Sequence, residues 1–224
     1  AIAVGPDIAY AVYQVAEVSE GSKSKVGDKI VIANKLVADV EKNAHITLTK
    51  VSKDYSGKEF YEAIRGNNKY PVCKHPLHAA HDGYKFDVKV LEGSYVTDDS
   101  GTGFVHIAPA HGEEDFNLYF QHFGAADIPD NVSDDGLFRD HVPVFAGLAI
   151  YNQKGEMDQG NFAPIKAIDD AGNLLAKGSV RHEYPHSWRS KAPIIFRTTP
   201  QWFIAMDKVR SDNGNGGKTL RETA

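Results

Sequence analysis

Cysteine is nearly absent from this chain: Cys73 is the only one among 224 residues. One thiol cannot close an intramolecular disulfide or furnish a cysteine-based zinc site, and the simplest compartment for such a chain is a reducing one, the cytoplasm. Long apolar runs are missing as well. No stretch approaches the roughly 18 residues that a membrane-spanning helix requires, and the first residues do not read as a secretory leader, so no membrane partner is expected. Positive charge is not in excess either, with 25 Lys and Arg against 30 Asp and Glu and a net charge of −5. A protein whose main task is gripping a duplex needs a dominant basic surface. That class is excluded, while contact with a single-stranded end is not.

What is present reads mostly as strands. A chain of this length builds one large domain, or one domain with appendages. It starts without methionine, in the middle of the apolar alternation AIAVGPDIAYAVYQV, which suggests a module cut from a longer protein. Residues 9–17 and 29–33 are short, β-branched or aromatic, and bounded by turn signals at Gly21 and Gly27-Asp28. A short helix is expected over 36–42, then a return to alternation in HITLTKVSKDYSG. KEFYEAIRG is a helical turn or a helix closed by Gly66. YKFDVKVLEGSYVT alternates on both sides of Gly93, as two adjacent strands or one kinked strand.

Phe116, Tyr119, Phe120 and Phe123 fall at i, i+3, i+4 and i+7, the apolar stripe of a helix that Gly124 would close. Glu113, Glu114 and Asp115 then occupy its first turn, where the helix dipole favours negative charge. A further helix is expected over 161–176, with Pro164 in its first turn. The last third, SVRHEYPHSWRSKAPIIFRTTPQWFIAM, reads as strand-rich again, and the tail as a glycine/asparagine linker leading into a helix at Lys218. Cys73 is expected in a proline-flanked loop. Many short strands with few helices predict a strand-rich α+β domain, β-barrel-like, with peripheral helices.

The densest chemistry lies in GTGFVHIAPAHGEEDF, residues 101–116. As a phosphate loop it lacks the third glycine of a dinucleotide fingerprint and the Lys-Ser/Thr pair of a P-loop. As a metal site it would use His106, His111 and either Glu113 or Asp115. Histidines five apart with Pro109 between them do not match the i, i+4 geometry of a helical zinc motif. As a structural run it has a glycine turn at Gly101 and Gly103, core positions at Val105 and Ile107, and acids capping a helix. His106 then faces away from the core side of its strand and converges with Asp115 where a strand ends and a helix begins, a junction where binding groups often collect.

This stretch resembles the signature of the editing domain inserted in isoleucyl-tRNA synthetase. EYPHSWRSKAPIIFRTTPQWFIAM resembles the segment where that insertion returns to the catalytic core. AIAVGPDIAYAVY is similar to the segment that follows the family's threonine-rich strand, and VPVFAGLAIY also fits. The valyl and leucyl relatives share the GTG…PAH…D frame but generally carry other residues where His106 stands, so His106 favours the isoleucyl member.

The resemblance implies an editing domain over residues 1–207, with 208–224 as a flexible linker starting the return to the core. It implies hydrolysis of valine wrongly esterified to tRNA(Ile), with valyl-adenylate as a further substrate. A synthetic site for isoleucine discriminates weakly against valine because one methylene is worth only about 1–3 kcal/mol, a case for which isoleucyl-tRNA synthetase is itself the worked example. Asp115 matches the family's ammonium-binding aspartate, and His106 the histidine lining the pocket. Gly101, Thr102 and Gly103 would let backbone amides approach the terminal adenosine or the ester carbonyl. With no Ser-His-Asp or Cys-His set in view, a positioned water is the expected nucleophile. No cofactor is expected here, ATP and magnesium belonging to the synthetic core. A monomer acting on the tRNA 3′ acceptor end is expected. Many relatives carry cysteines where Ser187 and Ser190 stand; serine is a poor zinc ligand, so no metal is expected there. Trp188, Trp202 and Phe203 are expected to be packing aromatics. A non-catalytic module that cradles the acceptor end is the alternative of a different class.

Overall fold

The computed structural model describes residues 1–124, 128–179, 183–199, 201–209 and 217–223. Strand β1 (Ile2–Val4) passes through a turn, in which the Ile8 amide donates to the Gly5 carbonyl, into the long strand β2 (Ala9–Val18). The β-branched and aromatic residues of β2 favour extended backbone, and Tyr10, Ala11, Tyr13 and Val15 are buried. A longer connection, residues 19–28, leads into β3 (Lys29–Ala33), which pairs antiparallel with β2, Val12 opposite Val31. In that connection Asp28 accepts the Lys25 amide at 2.8 Å.

Helix α1 (Val37–Ala44) stops at His45, which takes a left-handed φ of 55° and turns the chain into β4 (Ile46–Lys50), on the other side of β2. A short strand β5 (Tyr55–Ser56) pairs with the start of β2 and runs straight into α2 (Gly57–Arg65). There Ser56 and Glu59 form a reciprocal capping box. The first sheet therefore has the order β3-β2-β4, with β5 also on β2.

The second sheet gathers β6 (Val72–Lys74), β7 (Asp87–Glu92), β1 and β8 (Phe104–His106) in the order β6-β7-β1-β8. Strand β1 runs parallel to β7 and antiparallel to β8, with Ile2 opposite both Val90 and His106. One core lies around the first sheet, built on Tyr10, Val15, Ile32 and Leu36. A second, around Ala3, Leu91, Val96 and Ile107, lies under the other sheet. Helix α3 (Glu113–Phe123) follows β8, α4 (Gln159–Asp170) lies further on, and α5 (Leu220–Thr223) is a single turn.

The α+β, strand-rich character agrees with the expectation, but among the described residues the sheets stay open and no barrel closes. Beyond Gly93 the backbone turns, Val96 donating to the Gly93 carbonyl, so only the first half of that alternation is a strand. Cys73 lies in β6, at a sheet edge, and not in a loop. Helix α4 starts two residues before the expected 161 because Asp158 caps the Gln159 amide, and its last turn ends ahead of Gly172. Pro164 then falls inside the helix.

The last third departs most from expectation. Its described residues hold only isolated bridges, such as His186 with Pro193, in place of strands. Prolines interrupt this segment, and each removes an amide that a ladder would use. Trp188, Trp202 and Phe203 are 77%, 101% and 87% exposed, so within this chain they are not packing aromatics. Trp188 instead meets the Arg189 guanidinium at 4.9 Å. Ser187 and Ser190 make a turn, the Ser187 hydroxyl accepting the Ser190 amide. The expected flexible tail falls largely on residues 210–216, outside the described residues.

Candidate functional site

The run from Gly101 to Asp115 is laid out as a turn, a strand end, a loop and a helix start. Its glycine turn is tied to the first sheet. The Ala33 amide donates to the Thr102 carbonyl at 2.9 Å, and the buried Tyr10 hydroxyl donates to the Gly103 carbonyl at 2.7 Å. The same hydroxyl accepts the Gly5 amide, so Tyr10 joins the first turn of the chain to the motif. Gly103 has φ +81°, and a Cβ there would lie 2.6 Å from the Ala33 Cβ; Gly101 has φ +65° with open space around it. Of the two, Gly103 answers to packing against Ala33 and Tyr10, whereas Gly101 is free to face a ligand.

Along β8 the side chains alternate as the period of a strand requires. Val105 packs on the second core and His106 is solvent-facing, with Ile107 buried just beyond. Desolvation by the surrounding protein lowers the His106 pKa below the ordinary imidazole value, with an opposing pull from Asp115. The ring is therefore neutral near pH 7 and offers one donor and one acceptor nitrogen. A second imidazole, His75, is close enough to interact with it; desolvation and then His106 lower its pKa too. His75 stacks on Tyr84 with ring centroids 4.4 Å apart. Nothing in the local sequence around His75 announced this.

Asp115 is clamped from two sides. Its Oδ1 accepts the Tyr95 hydroxyl at 2.7 Å and its Oδ2 accepts the Ala108 amide at 2.8 Å. Gly112 lies close beneath, a position where a Cβ would sit 3.2 Å from Oδ2. Each carboxylate oxygen keeps a lone pair for a further donor. Glu113 and Glu114, its neighbours in the first turn, are exposed.

The clamp explains where the helix expectation failed. Asp115 and Leu118 both face inward, Leu118 with Phe123 packing on the second core. That fixes the rotation of α3 about its axis and turns Phe116 and Phe120 outward, where they stack on each other at 5.7 Å. Phe120 is 50% exposed.

His111 is engaged elsewhere: its Nδ1 donates to the Phe196 carbonyl at 2.7 Å, and the Thr198 amide donates to Ala110. The late segment around 196–198 is thus fastened to the motif's loop. Among the described residues no group of three or more His, Cys, Asp or Glu is placed to hold a metal ion. Also among them, no helix is long and apolar enough to cross a membrane.

The structure places His106 and Asp115 close enough to interact, whereas the glycine turn sits at the other end of β8, against Tyr10 and Ala33. It adds Tyr95 and His75, and it assigns His111 to the docking of the late segment. The arrangement offers a neutral imidazole and a fixed carboxylate on rigid elements, suited to binding a cation beside a polar group.

Over its whole length the chain is similar to one segment of isoleucine–tRNA ligases. It is 44% identical over 233 residues to the protein of Bradyrhizobium diazoefficiens and 43% identical over 233 residues to that of Caulobacter vibrioides. It is 41% identical over 233 residues to that of Rhodopseudomonas palustris. Each alignment takes in 100% of this chain and 22% of the relative, so the chain spans little more than a fifth of the curated relatives it matches. No family model matches. A solved structure described as the crystal structure of GlLeuRS-CP1 covers 53% of this chain and 37% of its own, at 18% identity and a TM-score of 0.38. That likeness is too slight to carry an argument.

Proposed function

We propose that this segment of isoleucine–tRNA ligase ancestry is a hydrolytic editing domain that removes valine from mischarged tRNA(Ile) and spares isoleucine. Valyl-adenylate is a second substrate of the same chemistry. The observation that carries the reading is the Asp115 carboxylate, held by Tyr95 and Ala108 with a lone pair free on each oxygen. An aminoacyl ester differs from most esters by a free α-ammonium, and a fixed carboxylate is the group that recognises it.

In this reading Asp115 binds the ammonium and so sets the position of the ester carbonyl. His106, neutral at working pH, contacts the terminal ribose or the amino-acid side chain from the end of β8. Gly101 leaves its backbone open to the acceptor-end adenosine. The only cysteine, Cys73, lies on the edge strand β6, and we assign the attack to a water molecule. Holding ester and water together supplies rate through proximity and orientation. The module works as a monomer, without a cofactor, in the cytoplasm.

The test is deacylation of valyl-tRNA(Ile) by the ligase carrying Asp115→Asn. Asparagine suits the clamp, since its Oδ1 can accept from Ala108 while its amide donates to a reoriented Tyr95 hydroxyl. The charge alone is lost. We expect kcat/KM for valine release to fall by about 100-fold, roughly 2.7 kcal/mol. Valine release at the original rate would end the assignment. Comparing threonyl with valyl esters on the unaltered protein separates an isoleucyl from a valyl editing domain.

A further inference from the structure

We propose that Tyr95 is a positioning residue for amino-group recognition: its hydroxyl orients the Asp115 carboxylate, and through it sets the preference for esters that carry a free α-ammonium. This rests on the ammonium-binding role proposed for Asp115.

Three acids share the first turn of α3, yet only Asp115 is held in place. Glu113 and Glu114 are exposed and satisfy the helix dipole from solvent. The Tyr95 hydroxyl reaches Asp115 from another element, 20 residues earlier in the chain, at 2.7 Å. Tyr95 is itself fixed by the turn that follows β7. The Val96 amide closes that turn onto the Gly93 carbonyl, Val96 is buried, and the Tyr95 ring lies beside Gly93, where a Cβ would sit 3.3 Å from Cε1. The donor is therefore rigid and the carboxylate is not free to rotate about its terminal torsion, which is otherwise broad for aspartate.

The Ala108 amide fixes one oxygen only. With Tyr95 removed, that single bond would act as a pivot and leave Oδ1 to swing. A carboxylate fixed at both oxygens spends no rotational freedom when it receives an ammonium. Desolvation, followed by the bond to Asp115, pushes the Tyr95 pKa well above the ordinary phenol value. The hydroxyl therefore stays protonated, and a donor, at neutral pH.

The experiment uses the ligase with Tyr95→Phe, Asp115→Asn and the double substitution. Two esters of tRNA(Ile) are compared: valine, and its 2-hydroxy counterpart, which lacks the ammonium. Tyr95→Phe keeps the ring in its turn and removes only the donor. We expect it to lower the preference for the amino ester by about tenfold while the hydroxy ester is hydrolysed at the original rate. The loss falls mainly on KM. In the double variant the preference should equal that of Asp115→Asn alone, because both changes remove one shared interaction.

A Tyr95→Phe protein that slows on both esters alike would assign the hydroxyl a purely structural role and overturn the inference. An unchanged preference in Tyr95→Phe, with the preference lost in Asp115→Asn, would overturn it too and leave the Asp115 reading intact. An unchanged preference in Asp115→Asn would overturn both.

Discussion

Residues 1–124 and residues 128–223 are built from similar material and end differently. The first part delivers Ala3, Val4, Tyr10, Ile32 and Leu91 to positions that are 0% exposed. The second contributes Val142 and Phe145 to a small cluster that is completed by Leu77 and Tyr84 from the first part. Aromatic residues abound in both. In the first part a periodic strand turns them to one side, as β2 does with Tyr10 and Tyr13, while in the second part Phe145 is buried from a turn. Around Pro185 and Pro193 the backbone lacks that periodicity, and Trp188 and Trp202 remain in solvent. The site sits near the end of the first part, and the second part reaches it through His111 and Phe196.

The sharpest test of this contrast is inside the first part. Gly103→Ala places a Cβ 2.6 Å from that of Ala33 at φ +81°. Overpacking and left-handed strain together should cost about 3 kcal/mol in urea unfolding. Gly101→Ala has the strain without the clash and should cost only about 1 kcal/mol. Equal losses at the two glycines would show that the turn is not pinned against the first sheet.

Tyr10→Phe comes next. Its hydroxyl bridges the Gly5 amide and the Gly103 carbonyl inside the core, and removing it leaves both without that partner. A loss of about 2 kcal/mol is expected from the same unfolding measurement. A loss below about 0.5 kcal/mol would mean that the two sheets are joined by apolar packing alone.

Protonation gives a smaller effect with a defined sign. The pKa values of His106 and His75 are lowered by desolvation in the folded chain, so the folded form binds fewer protons than the unfolded one. Their contribution is fully present above the unfolded value, about 6.5, and is lost as pH falls below it through the lower folded values. Unfolding midpoints at about pH 7.5 and about pH 5.5 should therefore fall towards acid, and His106→Asn should flatten part of that fall. An identical acid dependence in the variant would remove His106 from the account.

Much of this was legible in the sequence, for local reasons. The edges of β3, the acids opening α3 and Gly124 closing it all follow from signals within a few residues of each feature. The same holds for placing His106 at a strand end and Asp115 in a helix turn. The clamp on Asp115 was not legible, because Tyr95 and Ala108 meet it only through packing. The rotation of α3 was misread for the same reason. Four aromatics at helical spacing outweighed one aspartate in the pattern, yet two hydrogen bonds to that aspartate and the burial of Leu118 set the helix. The fastening of His111 to Phe196 spans 85 residues, which no spacing rule reaches.

The smallest predicted effect bears on the second part. Trp202 presents its whole side chain to solvent in this chain, so Trp202→Ala removes no burial. Its effect on unfolding should stay within about 0.5 kcal/mol, even though deletion of a packed tryptophan costs roughly 3–5 kcal/mol. Tryptophan emission offers an independent reading. Trp188 and Trp202 are the only two tryptophans, both are exposed, and their emission should sit at the long-wavelength, water-exposed limit before any denaturant is added. A blue-shifted native spectrum, or a loss of several kcal/mol on removing Trp202, would place that ring in a core. The contrast between the two parts would then fail at its simplest point.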